Sequence, residues 1–358
     1  MSTIHPRIKS AIITEGQRGA ERGVESLVVQ GKHSAAERKV IAILRVLSES
    51  SQPLGSITIA RELERYGIYL SERGVRYHLK IADGRGYTHS LGRDGRMLTP
   101  QGLEELKLAL APEQVGFILE KLELLAFQTT FDPVKRTGRL PINTSLIDKE
   151  RFREALAPMK DVIEAGLCVC ALVATASEGE KLGSVVVPSG TIGLATVCSV
   201  AINGVLLKAG IPVVSQFGGV LEVKNLKPER FIAVINYDGT SIDPSEQYIH
   251  AGMTSVGKTA RTGSGRILAN FREMPALARS LAVERIVALK EAGIGGVYVL
   301  GNTSEPICQV TVGMNRVGMV LLGGLNPLAA AVEAGIDIEN IGESGVVDFE
   351  QLVPIRDL

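Results

Sequence analysis

The most conspicuous chemical signature is Gly252-Met-Thr-Ser-Val-Gly257-Lys258-Thr259, which fits the phosphate-binding P-loop pattern letter for letter. Such a loop works because it joins a buried strand to a helix whose free N–H groups meet the phosphates. Here the preceding residues, Asp243 to Ala251, are polar and proline-led, and Ala260-Arg-Thr-Gly-Ser-Gly265 breaks a helix within a turn. The context fails on both sides, so a nucleotide-binding reading is kept only as an alternative. A better place for an anion is Pro188-Ser189-Gly190-Thr191, ahead of a long apolar segment read as a helix running to Ala209. Hydroxyls and free N–H groups at a helix start suit a carboxylate or phosphate, although an ordinary cap is the simpler local reading. Arg261, Arg266 and Arg272 add cations able to grip a carboxylate with two bonds. No Ser-His-Asp, Cys-His or paired-carboxylate set accompanies them, and His250 is the one histidine after residue 135. An enzyme is not expected, nor a metal or other cofactor.

A second set of chemical residues lies nearer the N-terminus. Arg73, Arg76, Tyr77 and Lys80 share one face of a helix expected from Ser71 to Asp83-Gly84, with Val75, Leu79 and Ala82 on the other. Ahead of it, Ser34-Ala-Ala-Glu37 caps a helix carrying Val40, Ile43, Leu44 and Leu47, and Ser56 to about Tyr66 forms another around Ile59 and Leu63. After it, Leu91-Gly-Arg-Asp-Gly-Arg-Met-Leu98 holds the hairpin pair Asp94-Gly95, and Thr99-Pro100 opens a fourth helix. Three short helices and a basic hairpin describe a winged helix-turn-helix. That fold puts its third helix in the major groove, where Arg73, Arg76, Tyr77 and Lys80 would read double-stranded DNA, with Arg93 and Arg96 of the wing on the backbone. A winged helix used for protein contact alone is the competing reading.

Charge distribution supports the DNA-binding reading. The chain balances 39 Lys+Arg against 39 Asp+Glu, but residues 1–110 hold 17 against 12, so the remainder holds 22 against 27. A basic head on an acidic body is what phosphate neutralisation requires. At 358 residues the chain suits two or three domains, and with 4% aromatics and no tryptophan its core must be aliphatic. No apolar run is long enough for a membrane span and no signal pattern opens the chain, so a cytoplasmic protein without membrane contact is expected. Cys168, Cys170, Cys198 and Cys308 show no metal spacing and read as buried thiols.

The organisation expected is a mobile arm at 1–33, the winged helix at 34–111, a connecting or dimerisation helix within 112–135, and a ligand-sensing domain at 136–358. Strands alternate with helices in the last, giving an α/β fold (α+β) with a mixed sheet. A weak internal echo links Cys198-Ser-Val-Ala-Ile-Asn203 and Phe217-Gly-Gly219 with Cys308-Gln-Val-Thr-Val312 and Leu322-Gly-Gly324. Two related half-units sharing a cleft would fit it.

Several long motifs carry a family resemblance. Asn203-Gly-Val-Leu-Leu-Lys-Ala-Gly-Ile-Pro-Val213, Phe217 to Glu222, Tyr237 to Pro244, Met253 to Val256, Phe271-Arg-Glu-Met-Pro275 and Gly323-Gly-Leu-Asn-Pro327 resemble NrpR-type nitrogen-regulation repressors of methanogenic archaea. The resemblance implies a dimeric repressor of nitrogen-fixation and nitrogen-assimilation genes that binds palindromic operators and leaves them when 2-oxoglutarate binds its effector domain. One effector domain is expected here, so the chain acts either alone or with a companion subunit as an adaptor. From the chemistry of a dianion, the ligand-binding candidates are Ser189, Gly190, Thr191, Ser255 and Arg272.

Overall fold

The computed structural model describes residues 35–50, 52–64, 67–110 and 117–358. The expected arm at 1–33, the cap at Ser34, the helix end near Tyr66 and residues 112–116 lie outside them. The chain divides into two compact units, Met1–Leu110 and Ala111–Leu358.

In the first unit α1 (Ala35–Ser48) buries Val40, Ile43, Leu44 and Leu47, the spacing that lines one face of a helix. Helix α2 (Ser56–Glu64) buries Ile59 and Leu63. Helix α3 (Glu72–Gly84) starts because the Ser71 hydroxyl accepts the Gly74 N–H at 3.2 Å, and it buries Val75, His78, Leu79 and Ala82. Strands β1 (Thr88–Ser90) and β2 (Arg96–Leu98) pair antiparallel to form the wing. Gly95 closes its turn at φ 114°, where a Cβ would lie 2.5 Å from the Leu54 backbone, so glycine is required there. The contact matters because Leu54 and Arg96 exchange two backbone bonds of 3.0 Å, adding a third short segment to the wing. Helix α4 (Pro100–Leu110) starts on the Thr99 hydroxyl, which accepts the Gly102 N–H at 3.0 Å.

The second unit runs α5 (Phe117–Gln128), β3 (Arg139–Asp148), α6 (Phe152–Glu164), β4 (Leu172–Ala176), β5 (Lys181–Leu182), β6 (Val185–Val186), β7 (Thr191–Val197) and α7 (Val200–Lys208). It continues with β8 (Val214–Lys224), β9 (Lys227–Asn236), α8 (Pro244–His250), α9 (Val256–Thr262), β10 (Gly265–Pro275) and α10 (Arg279–Glu291). The chain then ends with β11 (Val297–Thr303), β12 (Arg316–Leu322), α11 (Asn326–Glu333), β13 (Ile338–Asp348) and β14 (Val353–Pro354). Two five-stranded sheets result, in the orders β13-β3-β7-β4-β14 and β11-β12-β10-β8-β9. Among the described residues every strand pair is antiparallel, where the strand–helix alternation suggests a mixed sheet.

Three local expectations are corrected. The segment after Ser189 is not one helix: Thr191–Val197 is a strand and the helix begins at Val200. Strand β7 lies between β3 and β4 and is buried along most of its length, so it reads as a continuous apolar run that periodicity cannot separate from a helix. Ile307–Val312, whose apolar alternation in the sequence suggests a strand, opens in a tight turn with Cys308 and Gln309 at positive φ. The loop after Val256 does hold a helix, the seven residues of α9. Helix α5 packs within the second unit: Ile118, Leu122, Leu125 and Ala126 meet Cys198, Val200 and Tyr237.

The two half-units suggested by the echo exist, in a different register. The run β3-α6-β4-β7-α7 has the same order and pairing as β10-α10-β11-β12-α11: the first strand of each pairs with its third, and the third with its second. The strand after each run crosses over, β8 joining β10 and β13 joining β3. Because Ile142 pairs with Val197 and Ala269 with Leu322, the closing residues of their strands, Asn143 and Asn270 occupy equivalent positions, as do Ser145 and Arg272.

Candidate functional site

On the first unit, Arg73, Arg76, Tyr77 and Lys80 all stand exposed on the outer face of α3. Arg76 keeps 66% of its side chain in solvent while its Nε donates to the Ser56 hydroxyl at 3.2 Å and its Nη2 to Glu72 one turn back. Tyr77 is 63% exposed. The two wing arginines differ. Arg93 lies exposed in the turn at Gly92–Asp94. Arg96 instead turns inward, its Nε donating to both oxygens of Asp83 at 2.9 and 3.2 Å while the Thr88 hydroxyl donates to the same carboxylate at 2.6 Å. The wing is thereby tied to the end of α3, a positioning role that the sequence does not suggest.

On the second unit the ligand candidates separate. Arg272 is 1% exposed, on β10. Its Nη1 donates to Asn203 Oδ1 and its Nη2 to the Ser199 hydroxyl at 3.0 Å, while Nε is buried without a partner. Among the described residues no carboxylate forms an ion pair with it. Burial pushes its pKa below the ordinary value, the nearby Tyr237, Cys198 and Glu343 acting in the opposite sense. A buried guanidinium that faces neutral oxygens is costly, and a bound anion would relieve that cost.

Around Arg272 lie Asn143, Cys198, Ser199, Tyr237, Asp243 and Glu343, with free space of about 10 Å³, room for one water. Ser199 Oγ also accepts Asn270 Nδ2 at 3.1 Å, and Asn270 Oδ1 accepts the Tyr237 hydroxyl at 2.5 Å. Asn203 Nδ2 reaches Ser215 at 3.2 Å. Gly324 forms one wall: a Cβ there would fall 2.5 Å from Asn143 Nδ2 and 2.8 Å from the Val197 carbonyl. Burial pushes the Cys198 thiol up to about 12 and holds the Tyr237 hydroxyl well above its usual range.

The other ligand candidates do not join this pocket. Ser189, Gly190 and Thr191 form the turn entering β7, where the Gly190 N–H already donates to Glu178 Oε2 at 3.0 Å and the Thr191 hydroxyl to the Pro188 carbonyl at 2.9 Å. Their N–H groups face no helix start, because a strand and not a helix follows them. Ser255 precedes α9 and its hydroxyl accepts the Arg266 N–H at 2.9 Å. The N–H groups of Val256 and Gly257 donate to the Glu333 carboxylate at 2.7 and 2.8 Å. The phosphate position of the P-loop lookalike is therefore held by the chain's own carboxylate. Among the described residues, no group of three His, Cys, Asp or Glu side chains could hold a metal, and no helix is long and apolar enough to cross a membrane.

The motifs that carry the resemblance, unlike the isolated hydroxyls, converge on this pocket: Asn203, Tyr237 with Asp243, Arg272 and Gly324 come from four of them. Residues 115–353 match the family model described as NrpR regulatory domains NRD1 and 2, and residues 41–106 that of the Ribonuclease R winged-helix domain. The chain is 38% identical over 319 residues to the global nitrogen regulator NrpRI of Methanosarcina mazei, covering 89% of this chain and 98% of the relative. It is 33% identical over 322 residues to the global nitrogen regulator NrpR of Methanocaldococcus jannaschii, covering 89% of this chain but 55% of that protein. A crystal structure of a nitrogen repressor-like protein from Methanococcus jannaschii superposes with a TM-score of 0.57 at 28% identity, covering 66% of this chain and 98% of the other.

Proposed function

Since the chain belongs to the NrpR family, we propose that it is a transcriptional repressor of nitrogen-assimilation and nitrogen-fixation genes that leaves its operator when 2-oxoglutarate enters the second unit. A dimer would place two copies of α3 on the half-sites of a palindrome, Arg73, Arg76, Tyr77 and Lys80 reading base edges and Arg93 meeting the backbone. Arg96 acts by holding the wing on Asp83.

One observation carries the ligand reading: Arg272 is buried with a free Nε and, among the described residues, without an ion pair to a carboxylate. A carboxylate of 2-oxoglutarate supplies the missing charge, with Ser199 and Asn203 already arranged around the guanidinium. The space present, about 10 Å³, is far below what such a molecule needs. The ligand therefore requires a rearranged pocket, and a ligand that prefers one arrangement shifts the population toward it. A coupling of about 1–3 kcal/mol, roughly 5–150-fold in operator affinity, is sufficient for induction.

The decisive experiment follows the anisotropy of a fluorescent glutamine-synthetase promoter fragment while 2-oxoglutarate is added at fixed salt. Release by 2-oxoglutarate, and not by glutarate or citrate, is the expected result; tight binding with no response removes 2-oxoglutarate as the signal for this chain alone. A second reading has one observation in its favour: the relative from Methanocaldococcus jannaschii is matched over 55% of its length. A companion effector subunit would supply the remainder, in which case release requires both chains.

A further inference from the structure

Arg272 shares its pocket with an acid that does not pair with it. Glu343 lies in a bulge of β13, where Gly342, Glu343 and Ser344 stand opposite Asn143 alone. Its backbone takes φ 47°, a conformation that non-glycine residues rarely adopt. The Glu343 N–H donates to Asn143 Oδ1 at 3.1 Å, fixing the bulge. One carboxyl oxygen accepts the Cys198 thiol at 3.9 Å; the other, Oε2, is buried and receives no donor, while the Asp243 carboxyl lies within side-chain hydrogen-bonding reach of the acid and can share a proton with it until a ligand oxygen takes that place.

The groups facing Glu343 come from every element around it. Lys121 of α5 is near, but its Nζ donates to the Gly342 carbonyl at 2.7 Å. Cys198 stands before α7, Tyr237 follows β9, Asp243 and Glu246 open α8, and Arg272 comes from β10. Asp243 Oδ1 caps α8 by accepting the Glu246 N–H at 2.9 Å, and Glu246 Oε1 accepts the Gly342 N–H at 2.6 Å. Asp243 thus shares with Glu343 a space with room for one water, and Glu246 stands beside them, so a negative charge on Glu343 is strongly disfavoured. Burial first, and Asp243 next, push its pKa well above the usual carboxylate range.

A dianionic keto acid beside Arg272 would meet Glu343 as well. An ionised Glu343 would repel it, whereas a neutral one offers an O–H. We infer that Glu343 is a specificity-determining residue of this pocket: it meets the ligand as a neutral acid and donates Oε2–H to a ligand oxygen that Arg272 also binds. The inference rests on the effector reading above. Its sign is fixed: binding is full while Glu343 holds its proton and weakens as pH rises through its pKa.

The test is calorimetry of 2-oxoglutarate binding to the full chain, from weakly acidic to alkaline pH, in wild type and Glu343→Gln. The ligand's own carboxyls stay ionised throughout, so they add no pH dependence. Wild-type affinity is expected to be flat and then to fall about tenfold per pH unit. Glu343→Gln keeps an N–H donor that does not ionise, so it should bind with the fall removed. Equal pH profiles for the two proteins overturn the inference. If the variant does not fold, wild type is measured in buffers of different ionisation enthalpy: proton uptake on binding that rises toward one in the alkaline limb supports the inference, and none overturns it. Binding at every pH with no pH dependence sinks the proton-carrying role alone; no binding at any pH sinks the effector reading with it.

Discussion

The arginines of α3 and the wing tip stand in water, while Arg272 is sealed between neutral oxygens at 1% exposure. Arg76 leans on Glu72 at one turn's spacing, an exposed pair worth a few tenths of a kcal/mol, so losing it hardly touches folding. Arg272 has the reverse balance, because an unpaired buried cation opposes folding and must be justified by something else. The second unit contains its own control. Position for position, Arg272 of one half-unit corresponds to Ser145 of the other, and Asn270 to Asn143. The fold thus accommodates a small neutral residue at this place, so the architecture of the half-unit does not by itself call for a guanidinium.

That contrast breaks first at Arg272. Arg272→Met removes the cation and keeps the volume. It should lower 2-oxoglutarate affinity by about 2–5 kcal/mol, the range for truncating one side of a buried charge pair. Thermal stability should stay equal or rise, since buried charges often give way to apolar side chains without loss. A large fall in Tm would show that Arg272 is structural, and retained ligand release would remove it from the pocket.

Gly324→Ala should come next in size. Its methyl would fall 2.5 Å from Asn143 Nδ2 and 2.8 Å from the Val197 carbonyl, and the carbonyl is backbone that does not swing away. Overpacking of this kind costs about 1–3 kcal/mol. Denaturant unfolding should show the loss, and an unchanged midpoint would mean that the Asn143 side of the pocket yields more readily than these contacts imply.

On the exposed side, Arg76→Ala should weaken operator binding more than binding to random DNA, by about 1–3 kcal/mol if it reads a base edge. Arg93→Ala should weaken both alike and reduce the salt dependence by about one phosphate contact. Competition anisotropy against random duplex at several salt concentrations separates them. Unchanged operator preference in Arg76→Ala would move the reading face elsewhere.

Legibility in the sequence followed the same division. The first unit was readable because Ser71, Asp94-Gly95 and Thr99-Pro100 act locally, each fixing an element boundary with its own backbone bonds. The bond from Arg96 to Asp83 is not legible in the sequence, because the wing pairing rather than proximity along the chain brings the two together. In the second unit Arg272 is recognisable as a cation, but its companions Ser199, Asn203, Tyr237 and Glu343 lie on other elements and meet only through the strands exchanged between the two sheets. Ser189, Gly190 and Thr191 precede a strand where the apolar run suggests a helix, since five consecutive buried residues do not reveal their period. Strand β13 went unread because its bulge, the feature that positions Glu343, interrupts the alternation that would have announced it.

The smallest effect belongs to Ser145, and it sharpens the comparison most directly. Its hydroxyl donates to Asn340 Oδ1 at 2.7 Å, a buried bond joining β3 to β13. Ser145→Ala removes the donor and leaves that acceptor unsatisfied, which should cost about 1–2 kcal/mol of stability. The ligand response should not change, because the position equivalent to Arg272 carries no charge here. If Ser145→Ala shifted 2-oxoglutarate release as strongly as its stability, the two half-units would be reading the ligand together. Arg272 would then be one half of a paired site rather than the point at which the repeat departs from itself.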